Sequence, residues 1–265
     1  MRRFQDLTVL VTGATGGFGL KLARRFAAEG ARLVLSDLDA ERLAETAAAF
    51  ETPVATLAGT VADERLSQNL VALALDRFGR LDVAVNNAGI VHDFMRLPQT
   101  PSDVARRVLE VDLLGMFFAL KHQIPALERQ FRDKALPGAI VNIASVAGMS
   151  SAPVHGYGPA KAAVLNLTTT LAAEWGPRGV RVNAVSPGFT RTPALEAAFA
   201  SGALAETELT RPAALRRLVE PAEIARAVLW LLGPEAGAVT GANIPVDAGF
   251  LAGVTWQAYG GLRNG

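Results

Sequence analysis

The sequence predicts an α/β protein built on a doubly wound parallel sheet of about seven strands with helices on both faces. Three observations predict it. Short β-branched runs alternate with longer helical patterns over most of the chain, the rhythm of parallel strands covered on both sides. Half of the 265 residues are apolar and 19% are charged, enough to bury a full core. No Gly/Ser linker, charge block or internal repeat divides the chain, so residues 1–250 are expected to form one domain and 251–265 a tail.

The expected strands are the runs TVLVT at Thr8–Thr12, RLVLS at Arg32–Ser36, VATLA at Val54–Ala58 and DVAVN at Asp82–Asn86. AIVNIAS at Ala139–Ser145, RVNAVS at Arg181–Ser186 and NIPVD at Asn243–Asp247 complete the set. Helices fill the intervals at Phe18–Glu29, Asp39–Phe50, Glu64–Phe78, Ser102–Arg132, Gly158–Trp175 and Pro221–Leu232. Two stretches break the rhythm. Gly188–Glu220 is a long Pro- and Ala-rich insertion between the sixth and seventh strands, a length that points to a functional lid. The tail from Leu251 to Gly265 carries Trp256 and Tyr259 among glycines and reads either as a frayed end or as a cover for a site.

A formal net charge of +1, from 26 basic and 25 acidic residues, gives no electrostatic case for nucleic acid or an anionic membrane as partner. A small-molecule substrate is the better expectation. The absence of cysteine removes disulfides, thiolate metal sites and thiol nucleophiles together. His92, His122 and His155 lack metal-ligand spacing, so no metal is expected. No apolar run is long enough to span a bilayer, and the first residues lack a signal-peptide core. The expected location is the cytoplasm.

The segment Thr12-Gly13-Ala14-Thr15-Gly16-Gly17-Phe18-Gly19 leaves a strand, turns through glycines and opens a helix. Glycines admit positive φ and close ligand approach, while free N–H groups at a helix start attract a pyrophosphate. On its own such a turn is equally a plain tight turn. The next strand ends at Ser36-Asp37-Leu38, which puts Asp37 where a ribose-binding carboxylate is expected. A carboxylate there accepts from the 2′- and 3′-hydroxyls of adenosine and repels a 2′-phosphate, favouring NAD. No arginine or lysine occupies Thr15, Gly16 or Leu38, where a 2′-phosphate would want a cation. Asp37 also reads as a helix N-cap, a role Asp39 could fill equally well.

Tyr157 and Lys161 stand four apart at the start of a helix, on one face. A phenol is a poor base at neutral pH, but a nearby ammonium and an oxidised nicotinamide favour its phenolate, which makes it a usable general acid/base. Ser145 ends a strand twelve positions earlier, beyond the carboxyl edge where parallel-sheet enzymes place reactive groups. A Tyr followed four later by Lys arises by chance at a few per cent. Its coincidence with the glycine turn and Ser145 does not.

With these motifs, the chain resembles the short-chain dehydrogenase/reductase family over nearly its whole length. Asn86-Asn87-Ala88-Gly89, Pro187-Gly188 with Thr192, and Val246-Asp247-Ala248-Gly249 match further family motifs. The resemblance implies a Rossmann-type sheet, hydride transfer with NAD(P), and a homotetramer or homodimer. It implies Tyr157 as acid/base and a cofactor contact, Lys161 as its activator and a ribose ligand, Ser145 as partner of the substrate oxygen, and Asp112 as a further member of the catalytic set. Asn87, Ala88 and Gly89 would border the adenine and ribose, and Pro187, Gly188, Thr190 and Thr192 the nicotinamide. There are three departures. Asp112 stands where the family usually has an asparagine that holds a helix kink and a water on the lysine, which puts the proton relay in doubt. Thr60-Val61 replaces an adenine-side Asp-Val pair. Asp247-Ala248-Gly249 replaces Asp-Gly-Gly, expected to be a neutral change.

His92 and His155 are candidate substrate contacts, against a reading as exposed loop residues. The insertion offers Phe189, Leu195, Phe199, Leu204 and Leu209 as pocket walls; its Arg191, Arg211 and Arg216 read equally as contacts or as solvated charges. Helices near Leu109–Leu120 and Ala160–Leu171 are apolar around most of their circumference, which points to pairing across a subunit interface. The expected activity is NAD-dependent oxidation of a secondary alcohol, or reduction of the ketone, of a polyol, sugar or hydrophobic alcohol. The alternatives are a 3-oxoacyl thioester reductase and a catalytically weak NAD-binding regulator or scaffold.

Overall fold

The computed structural model of the chain describes residues 2–261. Its strands are β1 (Thr8–Thr12), β2 (Arg32–Ser36), β3 (Val54–Thr56), β4 (Val83–Asn86), β5 (Gly138–Ile143), β6 (Val180–Pro187) and β7 (Asn243–Val246). All pair in parallel, in the order β3-β2-β1-β4-β5-β6-β7. The helices are α1 (Gly17–Ala28), α2 (Ala40–Ala48), α3 (Glu64–Phe78), α4 (Ser102–Leu109), α5 (Gly115–Lys134), α6 (Tyr157–Trp175), α7 (Pro193–Ala200), α8 (Glu206–Thr210), α9 (Pro221–Leu232) and α10 (Phe250–Gly253).

Every residue of β1 is buried, as a strand covered on both faces requires. Val9 and Val11 join the layer made with Leu22 and Phe26 of α1 and Ile224 and Val228 of α9. Leu10, pointing the other way, joins Leu70 of α3, Leu120 and Ile124 of α5 and Val164 of α6. Period-two alternation thus feeds two cores from one strand. Strand order reverses direction between β1 and β4, and the crevice at their carboxyl ends is the ligand-binding point of such sheets. Beneath it, a buried amide network ties β4, β5, α5 and α6. Asn86 donates to Gln123 (3.1 Å) and Asn142 (3.0 Å), Gln123 returns a bond to Asn86 (2.8 Å), and Asn142 donates to Thr168 (3.0 Å).

The structure departs from expectation in four places. Ser102–Arg132 is not one helix: α4 and α5 are joined by a π-helical turn over Glu110–Leu114. The wider turn carries Asp112 inward, where it is fully buried. The insertion is folded rather than loose. It carries α7 and α8, and a bridge between Thr190 and Val219 closes its neck. Arg191 holds it with ion pairs to Glu196, to Glu206 (2.6 Å) and to Glu220 (3.3 Å), so this arginine is internal clamp rather than substrate contact. The tail continues through α10 and a 3₁₀ turn over Val254–Tyr259, so its described part is not frayed, while residues 262–265 lie outside the described ones. Finally, Ala248 adopts φ +53°. Left-handed backbone costs an alanine about 1 kcal/mol or more that glycine escapes, so the change from Asp-Gly-Gly is not neutral.

Candidate active site

A cleft of about 470 Å³ opens at the carboxyl edge of the sheet, where the ends of β1, β4, β5 and β6 meet the start of α6. Gly13, Thr15, Gly16, Gly17, Phe18, Asp37, Asn87, Ala88, Gly89, Ser145, Tyr157, Lys161, Pro187, Gly188 and Thr192 all line it. A second hollow of about 360 Å³ continues past Gly13, Asp37, Ala88 and Gly89 to Leu38, Thr60 and Val61. The two hollows share Gly13, Asp37, Ala88, Gly89 and Ile90 and so form one continuous groove.

The glycine turn is shaped for a pyrophosphate. A Cβ on Gly19 would lie 1.9 Å from the Gly13 carbonyl oxygen, so no side chain fits there and α1 packs directly on the turn. Gly13, at φ +65°, lets Asn87 approach and donate to the carbonyls of Thr12 (2.9 Å) and Gly13 (3.1 Å). Gly16 and Gly17 face open space: a Cβ on either would have no described atom beyond its chain neighbours within 4 Å. The helix behind them has no side-chain cap and no acidic residue in its first turn, leaving N–H groups and a positive dipole end for an anion.

At the adenosine end, Asp39 is the N-cap of α2, accepting from the Glu41 and Arg42 N–H groups, both at 3.0 Å. That role is therefore not Asp37's. The Asp37 carboxylate instead accepts from the Thr15 backbone (2.9 Å) and hydroxyl (2.7 Å) through one oxygen and from Leu38 N–H (2.8 Å) through the other. These bonds hold it at the rim with one acceptor site, on Oδ1, left for a ribose hydroxyl. Arg42 also lines the cleft and reaches the Thr15 carbonyl at 3.4 Å. Thr15, Gly16 and Leu38 alone give no hint of this cation. Its signal is the first turn of a helix capped by Asp39, a position that points back toward the glycine turn.

At the reacting end, Ser145 lines the cleft and its Oγ accepts from Ala147 N–H (3.1 Å), which leaves its own O–H free to donate. Lys161 is buried. Its ammonium donates to the Ile143 carbonyl (3.1 Å), meets Asp112 Oδ2 at 3.1 Å, and lies 5.4 Å from the Tyr157 ring centroid. Asp112 Oδ1 accepts from Ile90 N–H (2.8 Å), and Oδ2 has no partner other than that ammonium among the described residues. The direct ion pair takes the place of the water-bridged amide that the resemblance implied.

Other expected positions fall outside the cleft. Thr190 is buried and donates to the Gly188 carbonyl (2.9 Å), bracing the loop. Phe189 packs edge-on against Phe250, centroids 5.1 Å apart, and Leu195 N–H is bound by the Thr192 hydroxyl (3.3 Å) at the start of α7. His155 is exposed. His92 is buried, with both ring nitrogens within hydrogen-bonding distance of the chain's own backbone. None of the four candidate substrate residues, His92, His155, Phe189 and Leu195, lines the cleft. Its apolar wall is built instead by Ile90, Val91, Ile143 and Ala144; the first two follow the Asn-Asn-Ala-Gly turn and were legible only as its continuation.

A family model described as enoyl-(acyl carrier protein) reductase matches residues 13–251. The chain is 37% identical to a 2,5-dichloro-2,5-cyclohexadiene-1,4-diol dehydrogenase of Sphingobium indicum over 246 residues, covering 92% of this chain and 97% of that one. It is 32% identical to a cyclohexanol dehydrogenase of Acinetobacter sp., covering 94% and 96%. Among solved structures, a Brucella melitensis chain described as ribose-5-phosphate isomerase superposes with a TM-score of 0.92 at 41% identity, over 99% of both chains. With a glycine turn, an Asn-Asn-Ala-Gly segment and a Ser-Tyr-Lys set around one groove at the sheet's switch point, the chain is an oxidoreductase of the short-chain dehydrogenase/reductase family.

Proposed function

We propose that this enzyme oxidises a cyclic secondary alcohol, or reduces the corresponding ketone, with NAD(H) as its cofactor. The observation that carries the reading is the placement of Ser145, Tyr157 and Lys161 in the same cleft as an open pyrophosphate cradle. The groove fits a dinucleotide: the N-terminus of α1 and the glycine turn would hold the pyrophosphate, Asp37 the adenosine ribose, and Lys161 the nicotinamide ribose. Bound there, the nicotinamide supplies the hydride acceptor. The chain's residues manage the proton. Ser145 donates to the substrate oxygen and fixes it, Tyr157 takes the hydroxyl proton as a phenolate, and the neighbouring ammonium of Lys161 stabilises that phenolate. The relatives that act on cyclohexanol and on a chlorinated cyclohexadiene diol support a ring substrate, as does the aliphatic wall of Ile90, Val91 and Ile143.

The choice of NAD rests on Asp37, whose carboxylate repels a 2′-phosphate. Arg42 is the observation that favours some use of NADP. The expected order is a kcat/KM for NAD above that for NADP, with Arg42→Ala widening the gap; a preference for NADP in the unaltered enzyme would overturn the Asp37 reading. For the chemistry, a panel of cyclic alcohols, polyols, acyl thioesters and ribose 5-phosphate is read by NADH absorbance, with isomerisation of ribose 5-phosphate followed separately. Tyr157→Phe should lower kcat by about 10²–10⁴-fold and leave NADH affinity nearly intact. Turnover retained in that variant refutes the assignment. Isomerisation without cofactor refutes the reaction class.

The same proposal includes a homotetramer, or a homodimer, working in the cytoplasm. Its support is a face of α5 and α6 where Phe117 is 47% exposed beside an apolar hollow lined by Ile124, Pro125, Leu167 and Leu171, a combination suited to a second copy. Leu171→Arg should dissociate the assembly in light scattering; an unaltered mass would refute this interface. Among the described residues no helix is long and apolar enough to cross a membrane.

A further inference from the structure

We infer that His92 is a positioning residue that locks the backbone ahead of Tyr157 through a neutral imidazole in one fixed tautomer. Its Nε2 lies 3.2 Å from the Gly156 nitrogen and its Nδ1 lies 2.8 Å from the Asp93 carbonyl oxygen. A backbone N–H only donates, so Nε2 must present its lone pair. A carbonyl only accepts, so Nδ1 must carry the hydrogen. His92 is 7% exposed and its Gly156 bond is buried, so losing the ring would leave the Gly156 N–H without water to replace it.

What the ring joins gives it a role. Gly156 is the residue before Tyr157 and the N-cap of α6, where a glycine has no side chain to cap the helix. The entry angle of the tyrosine therefore depends on what binds the Gly156 backbone. His92 sits at the far end of the segment that begins with Asn87 on the glycine turn and passes Ile90, which donates to Asp112. The imidazole closes this segment onto the catalytic helix. Phenol and ammonium are thereby held relative to the cofactor cradle from two sides, Lys161 by Asp112 and Tyr157 by His92.

The inference rests on Tyr157 being the acid/base, and the test separates the two. His92→Phe keeps the ring volume and removes both polar atoms; His92→Gln places an amide oxygen near the Nε2 position; His92→Asn places its amide near Nδ1 only. Cyclohexanol and NAD are the probe pair, replaced by the best alcohol of the panel where cyclohexanol is a poor substrate. Expected for His92→Phe is a fall in kcat of about tenfold or more, with NADH affinity within twofold and faster hydrogen exchange at the Gly156 amide. His92→Gln should recover most of the rate and the amide protection, and His92→Asn should not. Wild-type kcat in His92→Phe, with Tyr157→Phe inactive, overturns the clamp and leaves the acid/base assignment standing. Equal losses in the Gln and Phe variants, or a change confined to KM for the alcohol, also overturn it, the last in favour of a substrate contact. Turnover by Tyr157→Phe would instead remove the premise.

Discussion

Replacing Asp112 by the family's usual asparagine should damage this protein rather than normalise it. Each carboxylate oxygen has its own partner, a hydrogen bond from Ile90 N–H on Oδ1 at 2.8 Å and an ion pair with the Lys161 ammonium at Oδ2, 3.1 Å away. An amide offers one acceptor and one donor group, so Asp112→Asn must turn its NH₂ toward either the Ile90 N–H or the ammonium. In both the lysine loses its counter-charge, at up to about 3–5 kcal/mol for a buried pair; the first choice also leaves a buried backbone donor unpaired, at about 1–3 kcal/mol, and the second turns an NH₂ onto the cation. Asp112 is 0% exposed and the Lys161 side chain 3%, so solvent does little to screen the loss. The Ile143 carbonyl, which keeps its bond to the ammonium, and partial relaxation bring the expected destabilisation to about 2–3 kcal/mol. At roughly 2–4 °C per kcal/mol for a chain of this size, Tm should fall by about 4–12 °C. Urea unfolding at fixed protein and cofactor concentration gives the same difference as a shift in midpoint without a change of slope. A variant within about 0.5 kcal/mol of the parent would refute the claim that both oxygens are engaged.

Two further perturbations follow from the geometry. Ala248→Gly should raise stability by about 0.5–1 kcal/mol, because it relieves a left-handed alanine; a lower Tm in that variant would show the alanine to be unstrained. Glu223, in the first turn of α9, is held down to about 2 from the usual 4.5, first by the Arg217 guanidinium and then by the Glu220 N–H. A depressed carboxylate stabilises the fold above its unfolded value and loses that contribution as pH falls toward the folded one. The loss therefore runs from about pH 5 down to about pH 2, and Arg217→Met should flatten the acid limb of Tm against pH; an unchanged limb would show that the pair contributes nothing there.

Much of this architecture was legible because parallel strands buried on both faces read as unbroken apolar runs, as the Val9–Val11 stretch of β1 and the Leu33–Leu35 stretch of β2 do. The Gly13–Gly19 turn and the Tyr157–Lys161 spacing were legible for another reason: each needs particular residue types at fixed intervals, whatever surrounds it. What could not be read depends on contacts distant in sequence. Arg42 joins the cleft through the Thr15 carbonyl, 27 positions away, and His92 leaves the substrate side because Gly156, 64 positions on, claims its lone pair. The π turn is not legible in the composition of Glu110–Leu114, which is ordinarily helical; only the resemblance implied a kink there.

That turn also decides how mutations should sort. Asp112 holds Lys161 from behind and, through Ile90, the same segment whose Asn87 binds the Gly13 carbonyl. The pyrophosphate cradle, the ammonium and the start of the tyrosine helix are therefore joined through one segment, by hydrogen bonds at Asn87, Ile90 and His92 and by the Asp112–Lys161 ion pair. Tyr157→Phe removes a proton acceptor and keeps the ring that lines the groove. A change at Asp112 frees the lysine and loosens the segment beside the cradle in one stroke. Loss of rate without loss of cofactor affinity is the pattern for Tyr157, and loss of both is the pattern for Asp112. The carboxylate thus belongs to the scaffold that aligns cofactor and acid/base, a demand an amide in this packing cannot meet because it can satisfy only one of the two donors facing it.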